Sequence, residues 1–230
     1  LSRRQRFSAV RLRTCGLLVV VALATAGAAG CNRDAPREPG WVVIGLDAPP
    51  NSLDPRSATD ASAVAILDLV HRGLVRTSAD GAPAPDLAEA WDTPDPVTYR
   101  FRLRPARFQD GRPVTADDVV ATYASLARPA FQAARRDGLE LVSDVVAEDA
   151  RVVRFTLREP SATFLGATRL AILPSACAAE PDCRVGAGPF RLDRVALDTI
   201  DLRAAQTADQ SPEIPGLRFT ISPDSLARAL

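Results

Sequence analysis

The alternation of apolar and polar residues along the chain predicts short strands interspersed with helices. At 97–103, "VTYRFRL" places an apolar or aromatic residue at every second position, which is typical of a strand with one buried face. "WVVIGL" at 41–46 is a short continuous apolar run and predicts a buried strand. At 61–75 apolar residues recur at near-helical spacing, with Gly73 as the predicted stop. This pattern indicates a mixed α/β fold.

The same mixture continues through the rest of the chain. Thr115 precedes Asp118 by three residues, a capping-box pattern that predicts a helix over 116–126. Two strands are expected around a turn at 148–150, followed by a short helix near 161–168. Three more strands are predicted in "GAGPFRLDRV", "TIDLRAA" and "GLRFTIS", the first two as a pair.

The first 30 residues have the pattern of an export signal. Residues 1–13 carry five arginines and no acid, 17–24 are the apolar run "LLVVVALA", and small residues follow at 26–30. This order predicts a secretory signal peptide. The alternative is an uncleaved membrane anchor, because the uncharged stretch approaches the length of a spanning helix.

Cys31 lies directly after these small residues. "AAGC" at 28–31 resembles the bacterial lipobox, in which the cysteine is lipidated, so residues 1–30 are interpreted as a lipoprotein signal peptide. Residues 31–40 are polar and are predicted to be a flexible tether between lipid anchor and fold. Ordinary secretion, with Cys31 as a free thiol, is the alternative.

Charge argues against one class of partner. The chain has 28 basic and 28 acidic residues, and loss of the signal leaves a net charge of −5. A nucleic-acid-binding protein would present a basic face, so no nucleic-acid partner is expected.

Cys177 and Cys183 bracket "AAEPD", and an exported chain can form a disulfide there. Closing so short a loop is worth about 2 kcal/mol on the chain-entropy estimate. The alternative is a metal-binding pair. His71, the single histidine, lies far off, and no cysteine–histidine cluster has zinc spacing, so neither metal nor cofactor is predicted.

The sequence contains none of the catalytic motifs that identify common hydrolases, zinc peptidases or phosphate-binding enzymes. His71 falls late in a predicted helix, where a histidine is usually a surface or helix-end residue. Asp117 and Asp118 fall in a predicted first helical turn, where acids interact favourably with the helix dipole. The expectation is a binding module rather than an enzyme.

A series of motifs, in a fixed order, then resembles a known family. These are "NSLDP" at 51–55, "LVHRGLV" at 69–75, "DGAPAPDLAEAWD" at 80–92, "YRFRLRPARFQDGRPVTADDV" at 99–119, "FTLREP" at 155–160 and "GAGPFRL" at 186–192. Together they closely resemble the family-5 extracellular solute-binding proteins of ABC importers, which bind oligopeptides, dipeptides or nickel. The resemblance extends over nearly all of residues 41–230.

The resemblance implies the first lobe of a two-lobe, periplasmic-binding-protein-like (type II) fold with an added small α/β subdomain. The main first lobe is expected at 41–71 and 160–220, and the inserted subdomain at 72–159. Residues 221–230 are expected to be a truncated approach to the second lobe, so the chain is interpreted as holding about half of the ligand-binding clamp.

The resemblance also implies which residues contact ligand. The residues expected to face the cleft, where their backbone groups would pair with a peptide backbone, are Thr59, Asp60, Ala61 and Ser62. Trp91 and Phe108 are expected in the core rather than as a ligand platform. His71 stands where the family usually has an aromatic residue and is interpreted as a packing residue.

Gly186 and Gly188, in "GAGPF", are expected to permit close approach of two backbone segments.

The function implied is that of a substrate-binding lipoprotein of an ABC importer. It would be a monomer, lipid-anchored on the periplasmic side of the cell envelope, that captures peptides or similar small solutes and delivers them to the permease subunits. Three alternatives stay open: a membrane-tethered sensor or adaptor lobe without transport, a periplasmic enzyme whose catalytic half is missing, and a non-functional fragment.

Overall fold

The structure is a computed structural model that describes residues 39–128, 131, 138–206 and 212–221. The predicted signal peptide, Cys31, most of the tether and residues 222–230 lie outside the described residues. In the described part, no helix is long and apolar enough to cross a membrane. Gly40 and the described residues after it belong to one compact unit.

Short strands and helices alternate along this unit. In chain order they are β1 (Val42–Leu46), α1 (Ala61–Val70), β2 (Val75–Thr77), β3 (Pro83–Pro85), β4 (Ala88–Asp95), β5 (Thr98–Leu103), α2 (Ala116–Ser125), β6 (Val142–Asp149), β7 (Val152–Leu157), α3 (Phe164–Ala167), β8 (Phe190–Val195), β9 (Thr199–Ala204) and β10 (Gly216–Ile221). The mixed α/β fold class is confirmed.

The first sheet has the strand order β1-β10-β9-β8. β1 is parallel to β10, and the other pairs are antiparallel, including the predicted β8–β9 pair. The sheet packs Leu202 and Phe219 against Ile66 and Val70 of α1. It therefore presents α1, and the loop that leads into it, on one of its faces.

The prediction that 41–46 is a buried strand is wrong. Among the described residues β1 has one neighbour, so it is an edge strand. Val42 and Val43 are 42% and 43% exposed, whereas Ile44 and Leu46 pack partly against the core. An apolar run indicates a strand, but it does not say how many neighbours will cover that strand.

The second sheet, β4-β5-β7-β6, is antiparallel throughout. The alternation predicted in β5 is confirmed, since Phe101 and Leu103 are fully buried and Arg100 and Arg102 are exposed. β4 was not predicted, because half of its sequence, "AEAWDTPD", is polar and the apolar residues follow no period of two. β2 and β3 form a small antiparallel hairpin.

The three helices agree with the sequence pattern to within a few residues. α2 ends one residue before the predicted Leu126. Its capping box is formed, with the Thr115 backbone N–H donating to Asp118 Oδ2 at 2.8 Å.

Phe164, Leu170 and Ile172 pack in the same core as Phe101 and Phe155 of the second sheet. The predicted boundary at residue 160 therefore runs between residues that share one core. The division into main lobe and subdomain remains a prediction.

Candidate functional site

The four predicted ligand-contacting residues surround the N-terminus of α1, beside an open cleft of about 770 Å³. One wall of the cleft is formed by Thr59, Ala61, Val64, Ala65 and Asp68. The other wall is formed by Thr163, Gly166, Ala167, Arg169 and Leu170. Thr59 and Ala61 are exposed and line the cleft, whereas Asp60 and Ser62 are partly buried and are not part of its lining.

Asp60 is the N-cap of α1. Its Oδ1 accepts from the Ala63 backbone N–H and its Oδ2 from the Asn51 backbone N–H, both at 2.8 Å. These backbone hydrogen bonds, that from Asn51 foremost, lower the pKa of the carboxyl. Asp60 therefore satisfies an orphan helix donor and ties the start of the loop to its end.

The loop between β1 and α1 is closed on itself by side chains. The Asn51 amide donates to Thr59 Oγ1 at 2.6 Å and accepts from the Thr59 backbone N–H at 3.2 Å. The hydroxyls of Ser52 and Ser57 lie 2.8 Å apart. Thr59 thus faces the cleft with its backbone N–H already bonded inside the loop.

A buried ion pair lies behind this loop. Arg56, whose side chain is fully buried, donates from Nε and Nη2 to the two carboxylate oxygens of Asp54, at 2.9 and 2.6 Å. Burial alone would raise the pKa of Asp54, but hydrogen bonds from the Arg56 side chain and backbone outweigh it and lower that pKa. Sequence reasoning missed this pair, although both residues stand in or beside the "NSLDP" motif.

His71 is the C-cap of α1, and it is buried rather than on the surface. Neither ring nitrogen has a hydrogen-bond partner among the described residues. Burial lowers the pKa of the imidazole to about 4, and the nearby charges of Asp54 and Arg56 act on it in opposite directions. His71 is therefore neutral near pH 7, as a packing residue is expected to be.

The cleft continues beyond α1 toward a charged end. Asp68 and Arg169 line both the main cleft and a second cavity of about 310 Å³. That cavity also contains Arg76 and the ion pair between Arg72 Nε and Asp86 Oδ1, at 2.6 Å. The two cavities therefore share one acidic and one basic residue, and the second is lined by further charged side chains.

The remaining sequence expectations concern packing. Phe108 is buried in the core of the second sheet, and the partly buried Trp91 packs against the same core with its ring 6.3 Å from Phe101. That neither forms a ligand platform remains a prediction. A Cβ atom at Gly186 would clash with the carbonyl oxygen of Val70, which confirms the predicted close backbone approach.

Two expectations concern cysteines and metals. Cys177 and Cys183 are bonded, with their Cα atoms 5.7 Å apart. Their pairing in the exported protein remains a prediction. Within the described ranges, no group of three or more histidine, cysteine, aspartate or glutamate residues could hold a metal ion.

Comparison with known proteins identifies relatives over most of the chain. Residues 82–230 match the sequence profile described as "Bacterial extracellular solute-binding proteins, family 5 Middle". The probable di/tripeptide-binding protein 5 of Pseudomonas aeruginosa is 28% identical over an alignment that covers 97% of this chain and 47% of that protein. The periplasmic oligopeptide-binding protein OppA of Escherichia coli is 40% identical over 73 residues, 31% of this chain and 13% of that protein.

Solved structures share the fold. The periplasmic binding protein AgaA of Agrobacterium tumefaciens R10, in complex with agropinic acid, has a TM-score of 0.76 and 29% identity, with 83% of this chain and 41% of AgaA covered. The oligopeptide-binding protein AppA of Bacillus subtilis, in complex with a nonapeptide, has a TM-score of 0.76 and 23% identity over 82% of this chain and 41% of AppA. The present chain spans less than half the length of each of these relatives.

Proposed function

The chain belongs to the family 5 bacterial extracellular solute-binding proteins, and from this premise we propose that it binds a peptide or a similar small solute for delivery to an ABC permease. The observation that carries the proposal is the cleft beside α1, with Thr59 and Ala61 at its mouth. Its role is binding rather than catalysis.

The lining of the cleft matches the chemistry of a peptide. Val64 and Ala65 on one wall and Leu170 on the other offer apolar surface for side chains, while Asp68 and Arg169 offer charges to a terminus. α1 has ten residues and is about 15 Å long, which corresponds to about four residues of extended peptide. A small acid of the kind that AgaA binds would occupy only part of that length.

We also propose that a second lobe closes over the solute, as the family resemblance implies. A cleft that is open on one side leaves part of its ligand in water, whereas tight binding sites bury most of the ligand surface. Domain closure would remove that water and complete the polar contacts.

Calorimetric titration with a mixed peptide library tests this function. We expect micromolar or tighter binding by a form extended to the length of the relatives, and much weaker binding by residues 31–230. Ala65→Arg, which places a large charged side chain in the cleft, should abolish binding by the extended form. Leu197→Arg, at a position 97% exposed and outside the cleft, should not affect binding.

Two outcomes would contradict the proposal. Failure of the extended form to bind either a peptide or agropinic acid, which is titrated as a probe of the acid class, would contradict the binding function. Micromolar binding by residues 31–230 alone would show that no second lobe is required.

Export and anchoring complete the proposal: the chain is exported, cleaved before Cys31, lipidated there and held on the periplasmic side of the envelope. The full chain and its Cys31→Ser variant would be expressed with labelled palmitate. Label in the unaltered chain alone is the expected result, and equal label in both would rule out lipidation at Cys31.

A further inference from the structure

The loop closed by Cys177 and Cys183, residues 177–183, contacts the candidate site through one side chain. Arg56 Nη1 donates to the carbonyl oxygen of Ala178, and its Nη2 donates to that of Glu180 at 2.6 Å. Both acceptors lie inside the ring that the two cysteines close. These hydrogen bonds join segments more than 120 residues apart in the sequence.

Asp54 makes a second connection to the same loop. Its Oδ2 accepts from the backbone N–H of Asp182 at 3.1 Å. Asp182 has a left-handed backbone conformation, φ 61°, which is uncommon for residues other than glycine. Such a conformation persists where surrounding contacts hold it, and the hydrogen bond to Asp54 is one of these contacts.

Arg56 and Asp54 also define the turn that leads into the candidate site. The Arg56 backbone N–H donates to Asp54 Oδ1 at 2.9 Å, and those of Ser57 and Ala58 donate to the Asp54 carbonyl oxygen at 3.0 Å. Thr59, at the mouth of the cleft, follows directly. A continuous set of hydrogen bonds thus runs from residues 177–183 through the ion pair to the candidate loop.

The burial of Arg56 makes this connection sensitive to disruption. Its guanidinium group lies against the ring of Phe131, 3.6 Å from the centroid, and its side chain has no exposed surface. If the carbonyl groups of Ala178 and Glu180 moved away, then among the described residues Nη2 would keep only Asp54 and Nη1 only the Ser125 hydroxyl, at 3.3 Å. A buried cation would then lose two of its hydrogen bonds, which is costly. The side chain would then have to move, and the turn at 54–58 with it.

We propose that Arg56 is a positioning residue through which the Cys177–Cys183 disulfide orders the candidate binding loop, residues 57–62. Reduction by an added dithiol breaks the S–S bond and forms two cysteine thiols, while the dithiol is oxidised to its own disulfide. The opened ring then no longer fixes the carbonyl groups that Arg56 requires. That this loop faces a solute rests on the proposed function, whereas its dependence on the disulfide does not.

Arg128 provides a matched control. Its Nη1 donates to the carbonyl oxygen of Ala179, in the same ring, at 2.7 Å. Arg128 is exposed, however, and among the described residues its hydrogen bonds are to Ala179, Ser125 and Phe131, outside residues 51–62. Loss of Arg128 therefore removes one arginine hydrogen bond to residues 177–183 and leaves the hydrogen bonds between Arg56 and those residues in place.

The test is hydrogen exchange, followed by mass spectrometry, on the full chain with Cys15 and Cys31 changed to serine. Peptides covering 57–63 are compared before and after dithiothreitol. We expect reduction to speed exchange there by about tenfold or more, and to leave the β6–β7 hairpin, 142–157, unchanged. Arg128→Ala should behave like the unaltered chain.

In Arg56→Ala the amide hydrogens of residues 57–63 should exchange fast in both redox states. Dithiothreitol should then change their exchange rate by less than about twofold. Arg56→Lys keeps the charge but cannot reproduce the fork of donors, so it should not restore the redox response. The proposal is overturned if complete reduction leaves exchange at 57–63 unchanged. It is also overturned if Arg56→Ala retains the full response, or if Cys177 and Cys183 are free thiols in the exported protein. No ligand enters the measurement, so its result is independent of whether a peptide binds.

Discussion

The aromatic core under the β4-β5-β7-β6 sheet and the polar cluster behind the candidate loop are held together by different forces. In the core, the ring of Phe155 lies 4.8–5.5 Å from those of Phe101, Tyr123 and Phe164, measured between centroids. In the cluster, Arg56 is equally buried, yet its contacts are hydrogen bonds to a carboxylate and to backbone carbonyl groups.

The two kinds of contact have different consequences, one for the stability of the whole unit and the other for the position of the candidate loop. Apolar burial has no preferred direction and is roughly proportional to area, so a core can exchange one contact for another when a side chain changes. Buried charged hydrogen bonds are directional, and their loss leaves unpaired groups. We therefore expect changes in the core to lower the free energy of unfolding of the whole unit, and changes near the cluster to act more locally.

The largest effect is expected in the aromatic core. Phe155→Ala removes a fully buried ring and should lower the free energy of unfolding by about 3–5 kcal/mol. Leu197→Ala, at an exposed position of the β8–β9 turn, should change it by less than about 0.5 kcal/mol. Denaturant unfolding of both variants measures the difference. Equal values would show that the core does not dominate stability.

The next effect concerns His71, which has a buried aromatic ring, as the core does, and a titratable group, as the polar cluster does. Its pKa is about 4 in the folded protein and 6.5 when unfolded. Between these pH values the unfolded state binds more protons, so stability falls as pH falls. The loss is about 3 kcal/mol once pH 4 is reached.

His71→Phe should remove that loss while keeping an aromatic side chain in place. The chain has no other histidine, so His71 is the only imidazole that titrates in this range. The two proteins have the same carboxylates, and the pH dependence that these contribute is common to both. Urea unfolding between pH 7 and pH 4 is the measurement. Parallel profiles for the two proteins would mean that the buried imidazole is already charged or is bonded to water.

The same contrast explains how far sequence reasoning reached. The strand β5 was predicted because Phe101 and Leu103 bury one face, and burial has a period. The edge position of β1 was not predicted, because the number of neighbouring strands depends on the whole sheet and not on the residues of one strand. Thr59 was placed beside the cleft by family resemblance, whereas the contact of Arg56 with Ala178 spans 122 residues and has no periodic signal.

Gly186 tests a third kind of contact, a close backbone approach, because its backbone packs against α1 where Val70 ends the helix. Gly186→Ala would place a methyl group against the Val70 carbonyl oxygen, and should destabilise by about 1–3 kcal/mol. Gly166→Ala, in α3 with open space around it, is the control and should be neutral or stabilising by about 0.5 kcal/mol. Thermal unfolding compares them, and similar midpoints would show that the backbone approach is not tight.

The smallest effect is expected at Asp60, where the loop meets α1. Asp60→Ala removes the helix cap and the bond to Asn51, and should cost about 1 kcal/mol. Asp60→Asn keeps one oxygen acceptor and should retain most of that stability.

Because the pKa of Asp60 is lowered on folding, its contribution is present above the ordinary pKa of 3.8 and is lost as pH falls through the folded value. The difference between Asp60→Ala and the unaltered chain should therefore shrink in acid. Urea unfolding at pH 7 and pH 3 measures it, and a difference that does not shrink would mean that the cap acts through packing and not through its charge.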